Sequence, residues 1–223
     1  MSEKLGILRA AIDKLDADIL QLISERLTLS DAVIAAKNGA AAFRPGREAA
    51  LIRRLAAMSD DIAPAVLLGI WRQIMAASLT RQNQDLTFAV HKQALPAAVW
   101  HMGSALAAQH CDDYDAVLAA LDTKVCRYGV VPAGQDDQAL ASAMAAYPQV
   151  KILARTPLFP IETVAPAYIL ADYLPDESGD DISLFAVANA QHGTPVMAVD
   201  GYISDHVPVA CGAGARLLGI YAR

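Results

Sequence analysis

Seven polar side chains between residues 9 and 82 of this 223-residue chain could act together: Arg9, Arg26, Lys37, Arg47, Glu48, Ser78 and Gln82. Arg26 interrupts an apolar seam of Leu8, Ile12, Leu15, Ile19, Leu22, Leu29 and Val33, spaced mostly three or four residues apart. A bare guanidinium in such a seam costs several kcal/mol unless an anion meets it. Lys37 follows Arg26 by eleven residues, about three helical turns, and so projects from the same face roughly 16 Å further along. Ser78 and Gln82, four apart, share a helix face. The set holds no Ser/His/Asp or Cys/His group and no His, so nucleophilic and metal chemistry are not indicated. Such a set binds, orients and polarises a small anionic molecule, with no cofactor and no metal.

The elements that must position these groups read as three helices. The first covers about Lys4 to Lys37, with no Pro or Gly after Gly6, and stops at Asn38-Gly39. Pro45 opens a second, which ends near Met58; Asp61 is expected to cap a third, with Pro64 in its first turn, running to about Gln84. A helix of roughly 34 residues is about 51 Å long, further than a domain of under ninety residues can cover alone. A second copy in an intertwined two-fold dimer would bury the far end. Arg9, seventeen residues before Arg26, points about 100° away from it on an ideal helix and could serve the partner's site.

After Asp85 the pattern changes to α/β. Strands are predicted at Leu86 to Val90, Val125 to Val131, Val150 to Ala154, Tyr168 to Tyr173, Ile182 to Ala188, Val196 to Val199 and Leu217 to Tyr221. Helices are predicted at Pro96 to Gln109 and Asp136 to Tyr147. The fold class is therefore α + α/β, with a helical domain at 1–87 and an α/β domain at 88–223. The net charge of −6 and the lack of a basic tract argue against nucleic acid. No apolar run is long enough to span a membrane, and the first residues lack signal-peptide character, so a cytoplasmic protein is expected. Cys111, Cys126 and Cys211 are odd in number without CxxC spacing, which implies reduced thiols rather than disulfides or zinc. The GxG at Cys211 to Arg216 reads as a turn. His101, His110, His192 and His206 read as surface or loop residues, Trp100, Tyr168 and Phe185 as core, and Asp176 to Asp181 as a solvated acidic loop.

The helical unit resembles the all-α class of chorismate mutase over residues 5–88. The matching stretches are Leu-Arg-Ala-Ala-Ile-Asp-Lys-Leu-Asp at 8–16, Leu-Ile-Ser-Glu-Arg at 22–26, Lys37, Arg-Pro-Gly-Arg-Glu at 44–48 and Ser-Leu-Thr-Arg-Gln at 78–82. The resemblance implies that Arg26 and, from the other subunit of a homodimer, Arg9 bind the two carboxylates of chorismate, assisted by Arg47. It implies that Lys37 and Gln82 contact the ether oxygen, Glu48 the ring hydroxyl and Ser78 a carboxylate. Backbone around Arg44 would close over the ligand, although a compared family member is acidic where this chain has Arg44. An isochorismate pyruvate lyase on the same scaffold would need a similar anion site, and a non-catalytic regulator binding an aromatic metabolite is a third reading. In the α/β part, Tyr128-Gly-Val-Val-Pro132 and Asp181-Ile-Ser-Leu-Phe-Ala-Val187 resemble prephenate dehydratase strands. Ser183 and Leu184 stand where that family has Thr and Arg, and Gly134-Gln135 where it has Glu-Asn, so a non-catalytic domain is expected.

Overall fold

A computed structural model describes residues 2–36, 43–82, 86–103, 107–187 and 194–223. Lys37, the Asn38-Gly39 stop and His192 lie outside the described residues, as does the side chain of Gln82. Helix α1 is Ser2–Ala36, α2 is Pro45–Ala57 and α3 is Pro64–Gln82. The single Gly6 does not break α1, and the seam side chains lie largely open, with Leu8 53%, Leu15 60%, Leu22 64% and Leu29 68% exposed. Pro45 supplies a pre-set φ where an N–H would have no intrahelical partner anyway. The cap expected of Asp61 is corrected. Helix α3 begins three residues later, its first turn closed by Val66 and Leu67 N–H donating to the Ala63 carbonyl, while the Ser59 hydroxyl takes the Ile62 N–H.

Two compact units emerge: residues 1–42 with 77–84, and residues 43–76 with 85–223. This differs from the expected division at 87, because α2 and the greater part of α3 pack with the sheet. The reason is apolar. Ile52 of α2 and Leu67, Leu68 and Met75 of α3 are buried together, with the partly buried Trp71, Trp100, Leu158 and Phe159 packed against them.

The second unit is built on an eight-stranded mixed sheet. Its strands are β1 Thr87–His91, β2 Ala107–Cys111, β3 Tyr128–Pro132, β4 Lys151–Thr156, β5 Ala167–Ala171, β6 Asp181–Ala186, β7 Val196–Asp200 and β8 Arg216–Ala222, in the order β2-β1-β3-β5-β4-β8-β6-β7. Strand β1 is parallel to β2 and β3, and β4 to β8; β3-β5, β4-β5, β6-β7 and β6-β8 are antiparallel. Helices α4 Leu95–Met102, α5 Tyr114–Asp122 and α6 Asp137–Ala143 complete it. Strands β3 and β5 are buried along their whole length, as expected of central strands covered on both faces. Val117, Leu118 and Leu121 of α5 and Leu140 of α6 join Val131, Ile152 and Leu170 in the main core.

Three expectations are corrected here. The helix predicted to run to Gln109 ends at Met102, and Ala107–Cys111 is instead an edge strand, paired in parallel register from Thr87↔Ala107 to His91↔Cys111. Helix α5 was not foreseen, although Asp113 signals it by accepting the Ala116 N–H at 2.8 Å. The helix expected to reach Tyr147 ends at Ala143, followed by a short 3-10 turn. The GxG segment is a turn, with Gly212 and Gly214 at positive φ leading into β8.

Candidate functional site

Within the first unit, α1 and the end of α3 are tied by side chains from the predicted set. Arg26 is half-buried, and its Nη1 donates to the Ser78 hydroxyl at 3.1 Å across 52 residues of sequence. Ser78 is buried, and one turn on Arg81 pairs with Asp31 of α1. The guanidinium in the seam therefore sits against α3, beside a hydroxyl that orients it. Arg9 is exposed near the other end of α1. Lys37 is outside the described residues, and of Gln82 only the helical backbone is described.

Within the second unit, α2 carries Arg47 and Glu48 and is held firmly at both ends. The Asp176 carboxylate, expected in a solvated loop, instead receives Gly46 N–H at 3.3 Å, Arg47 N–H at 2.9 Å and Arg44 Nη2 at 3.1 Å. It satisfies the free N–H groups and positive dipole of the α2 N-terminus. Gly46 permits this approach, since a Cβ there would overlap the Asp176 carbonyl. Arg53 secures the other end, donating to the Ser178 carbonyl at 3.2 Å and the Asp180 carbonyl at 2.8 Å. Asp181 is likewise buried, accepting from the Ser178 amide and hydroxyl. Arg44 is thus accounted for as half of an ion pair, and the Arg47 side chain is exposed.

The sequence reading also missed a buried polar chain. Arg72 of α3, 5% exposed, pairs through Nη2 with Glu48 Oε2 and through Nη1 with His101 Nε2 at 2.7 Å. His101 Nδ1 lies 2.7 Å from the Thr156 hydroxyl at the end of β4. His101 is thereby corrected from a surface residue to a buried one, 8% exposed with its ring edge-on to Phe43. An arginine only donates, so Nε2 must accept and Nδ1 carries the proton toward Thr156. Burial first, and then the Arg72 charge, push the imidazole well below its ordinary pKa, consistent with this neutral tautomer. Helical periodicity around Leu68, Trp71 and Met75 could have flagged Arg72 as a charge on a buried face; nothing in the sequence joined it to Thr156.

Two recesses of the second unit do not suit a dianion. One cavity beside Arg72, His101 and Glu48 measures about 40 Å³, room for water rather than a metabolite. A larger one, about 500 Å³, is lined by Asp136, Asp137, Tyr168 and Tyr221, whose carboxylates repel anions. Tyr168 donates to Asp137 at 3.1 Å, and burial raises its pKa strongly. Ser183 is wholly buried and used internally, donating to the Gly201 carbonyl at 2.7 Å and accepting from Ile203 N–H at 2.9 Å. Among the described residues no cluster of His, Cys, Asp or Glu could hold a metal, and no helix is long and apolar enough to cross a membrane. The three cysteines are free and buried.

The family model described as "Chorismate mutase type II" matches residues 8–83. A curated relative, the bifunctional chorismate mutase/prephenate dehydratase of Neisseria gonorrhoeae (strain ATCC 700825 / FA 1090), is 31% identical over 128 residues. That alignment covers 56% of this chain and 35% of the relative, so the chain spans about a third of that relative's length. A solved structure titled "GqqA- a novel type of quorum quenching acylases" is similar over 62% of this chain and 96% of that chain, at 13% identity and a TM-score of 0.45.

Proposed function

We propose, on the match of residues 8–83 to the family model described as "Chorismate mutase type II", that the chain is a chorismate mutase, an isomerase that converts chorismate to prephenate in phenylalanine and tyrosine biosynthesis. The observation that carries this beyond the family match is the Arg26–Ser78 hydrogen bond at 3.1 Å. It places a half-buried guanidinium against α3, where a ligand carboxylate would be received.

The rearrangement is intramolecular and needs neither proton transfer nor a covalent intermediate. The protein must hold a flexible dianion in a compact chair and stabilise the negative charge that grows on the ether oxygen as the C–O bond breaks. Arg26, with Arg9 of the partner subunit, grips the carboxylates; Ser78 and Arg47 assist. Lys37 and Gln82 donate to the ether oxygen, and Glu48 accepts from the ring hydroxyl. Arg9 and Arg26 of one chain are seventeen residues apart on one unbroken helix, about 26 Å along the axis and about 100° around it. Side chains so placed do not converge on one small ligand, which supports an active homodimer with Arg9 crossing over. The exposed seam of α1 supports the same assembly. Residues 1–87 are the mutase domain in this reading and 88–223 a non-catalytic α/β domain of a cytoplasmic enzyme.

The test is chorismate consumption and prephenate formation by the purified full chain, with isochorismate as a parallel substrate. Arg26→Ala should lower turnover by at least about a hundredfold, the loss expected when an oriented charge leaves a dry site. Ser78→Ala should cost much less. Absence of chorismate turnover, or full activity of Arg26→Ala, refutes the assignment; salicylate and pyruvate from isochorismate alone would make it a lyase.

A further inference from the structure

The recess of about 500 Å³ lies wholly within the second unit and shares no residue with the proposed mutase site. Its volume suits a small metabolite. It opens beside residues 135–138, just after Pro132 at the carboxyl end of β3, the edge at which open α/β sheets receive ligands. Asp136 and Asp137 supply its charge. The Asp137 carboxylate is fixed at both oxygens, Oδ1 accepting the Gly134 N–H at 2.8 Å and Oδ2 the Tyr168 hydroxyl at 3.1 Å. Asp136 Oδ1 accepts the Ala139 N–H at 3.0 Å. A carboxylate offers about four acceptor sites, so each aspartate keeps capacity for a further donor.

The rest of the lining is aromatic and apolar. Tyr168, 3% exposed, and Tyr221 hold their ring centroids 5.9 Å apart at a tilt of 43°. Leu184 of β6 and Ala198 of β7 are cross-strand partners and line the same recess. Arg155, opposite Tyr168 in the β4–β5 register, is exposed and is not part of the lining. These groups select a ligand by charge. An anion would meet two carboxylates. A divalent metal would find too few ligands, since among the described residues no three His, Cys, Asp or Glu gather to hold one. An ammonium group brings several N–H donors to the aspartates, and its charge is attracted to a tyrosine face within about 6 Å. We propose that this recess binds a small organic ammonium ion, a primary amine on an apolar body, held by Asp136 and Asp137 against Tyr168 and Tyr221. The proposal does not depend on the mutase reading.

The experiment titrates benzylamine into the full chain by isothermal calorimetry at pH 7 and low salt. Saturable binding with a Kd of about a millimolar or tighter is expected of so small a ligand. Benzyl alcohol, which has the same shape without the charge, should bind at least about tenfold more weakly, and benzoate should not bind. Asp136→Asn combined with Asp137→Asn should weaken benzylamine at least about tenfold, what a hydrogen bond to a charged group is worth. Asn caps a helix as well as Asp, so α6 is retained. If that variant does not fold, Ala198 decides, because it is exposed on the edge strand β7. Ala198→Lys should weaken binding about threefold or more, and Ala198→Glu should strengthen it. The proposal is overturned by no saturable binding of benzylamine, by equal binding of benzyl alcohol, or by undiminished binding in the Asn variant. The same response to Lys and Glu at position 198 overturns it too, as does displacement of the amine by equimolar magnesium, which would mark a metal site.

Discussion

Ile19 and Leu22 lie in the middle of the α1 seam, and 53% and 64% of each remains exposed. Full burial of such a side chain is worth about 1.5–3 kcal/mol, so covering the exposed half contributes about 1–1.5 kcal/mol. In a two-fold dimer every substitution occurs twice. Ile19→Ala with Leu22→Ala therefore removes about 4–6 kcal/mol of association energy and weakens the dimer by about three to four and a half orders of magnitude. Alanine is the best helix former, so the helix itself is not penalised. Sedimentation equilibrium over a range of protein concentrations measures the dissociation constant, and turnover per subunit should fall on dilution in parallel. An unchanged dissociation constant in the double variant, or a wild type that is active as a monomer, would refute the argument that this seam is a shared core.

Three further predictions follow from the same picture. Equimolar mixing of Arg9→Ala and Arg26→Ala chains should make half of all dimers mixed, each with one intact site, and so recover about a quarter of wild-type activity; no recovery means Arg9 does not act across the dimer. The rate should be flat from about pH 6 to 9, because a neutral amide at Gln82 donates without titrating; a steep loss near neutrality in the pH-rate profile counts against that role. His101 is held below its unfolded pKa of about 6.5 by burial and by Arg72, with Thr156 and Phe43 its other neighbours. Its contribution to stability is present above that value and lost as pH falls, because only the unfolded chain takes up the proton, by up to about 1.4 kcal/mol per pH unit. Urea unfolding from pH 7 to 5 should show a shallower acid loss in His101→Gln than in wild type.

The first three helices were legible because they rest on local rules. Periodicity and the absence of Pro gave the body of α1, and Pro45 marked the start of α2. Ala107–Cys111 was misread because Ala and Gln favour helix locally, whereas ladder hydrogen bonds to β1 decide the matter. Asp176 looked like part of an acidic loop because nothing near it in sequence reveals that the α2 N-terminus lies opposite, some 130 residues away.

By itself, the sequence determined three helices and the order and spacing of Arg9, Arg26, Lys37, Arg47, Glu48, Ser78 and Gln82, and hence the expectation of an anionic ligand. Only the tertiary structure decided that α2 packs with the sheet, that Asp176 and Arg53 hold its ends, and that Glu48 is backed by Arg72, His101 and Thr156. Spacing along a helix is fixed by backbone geometry and can be counted. Which buried charges find which partners depends on contacts between distant segments, where desolvation penalises every polar group left without one.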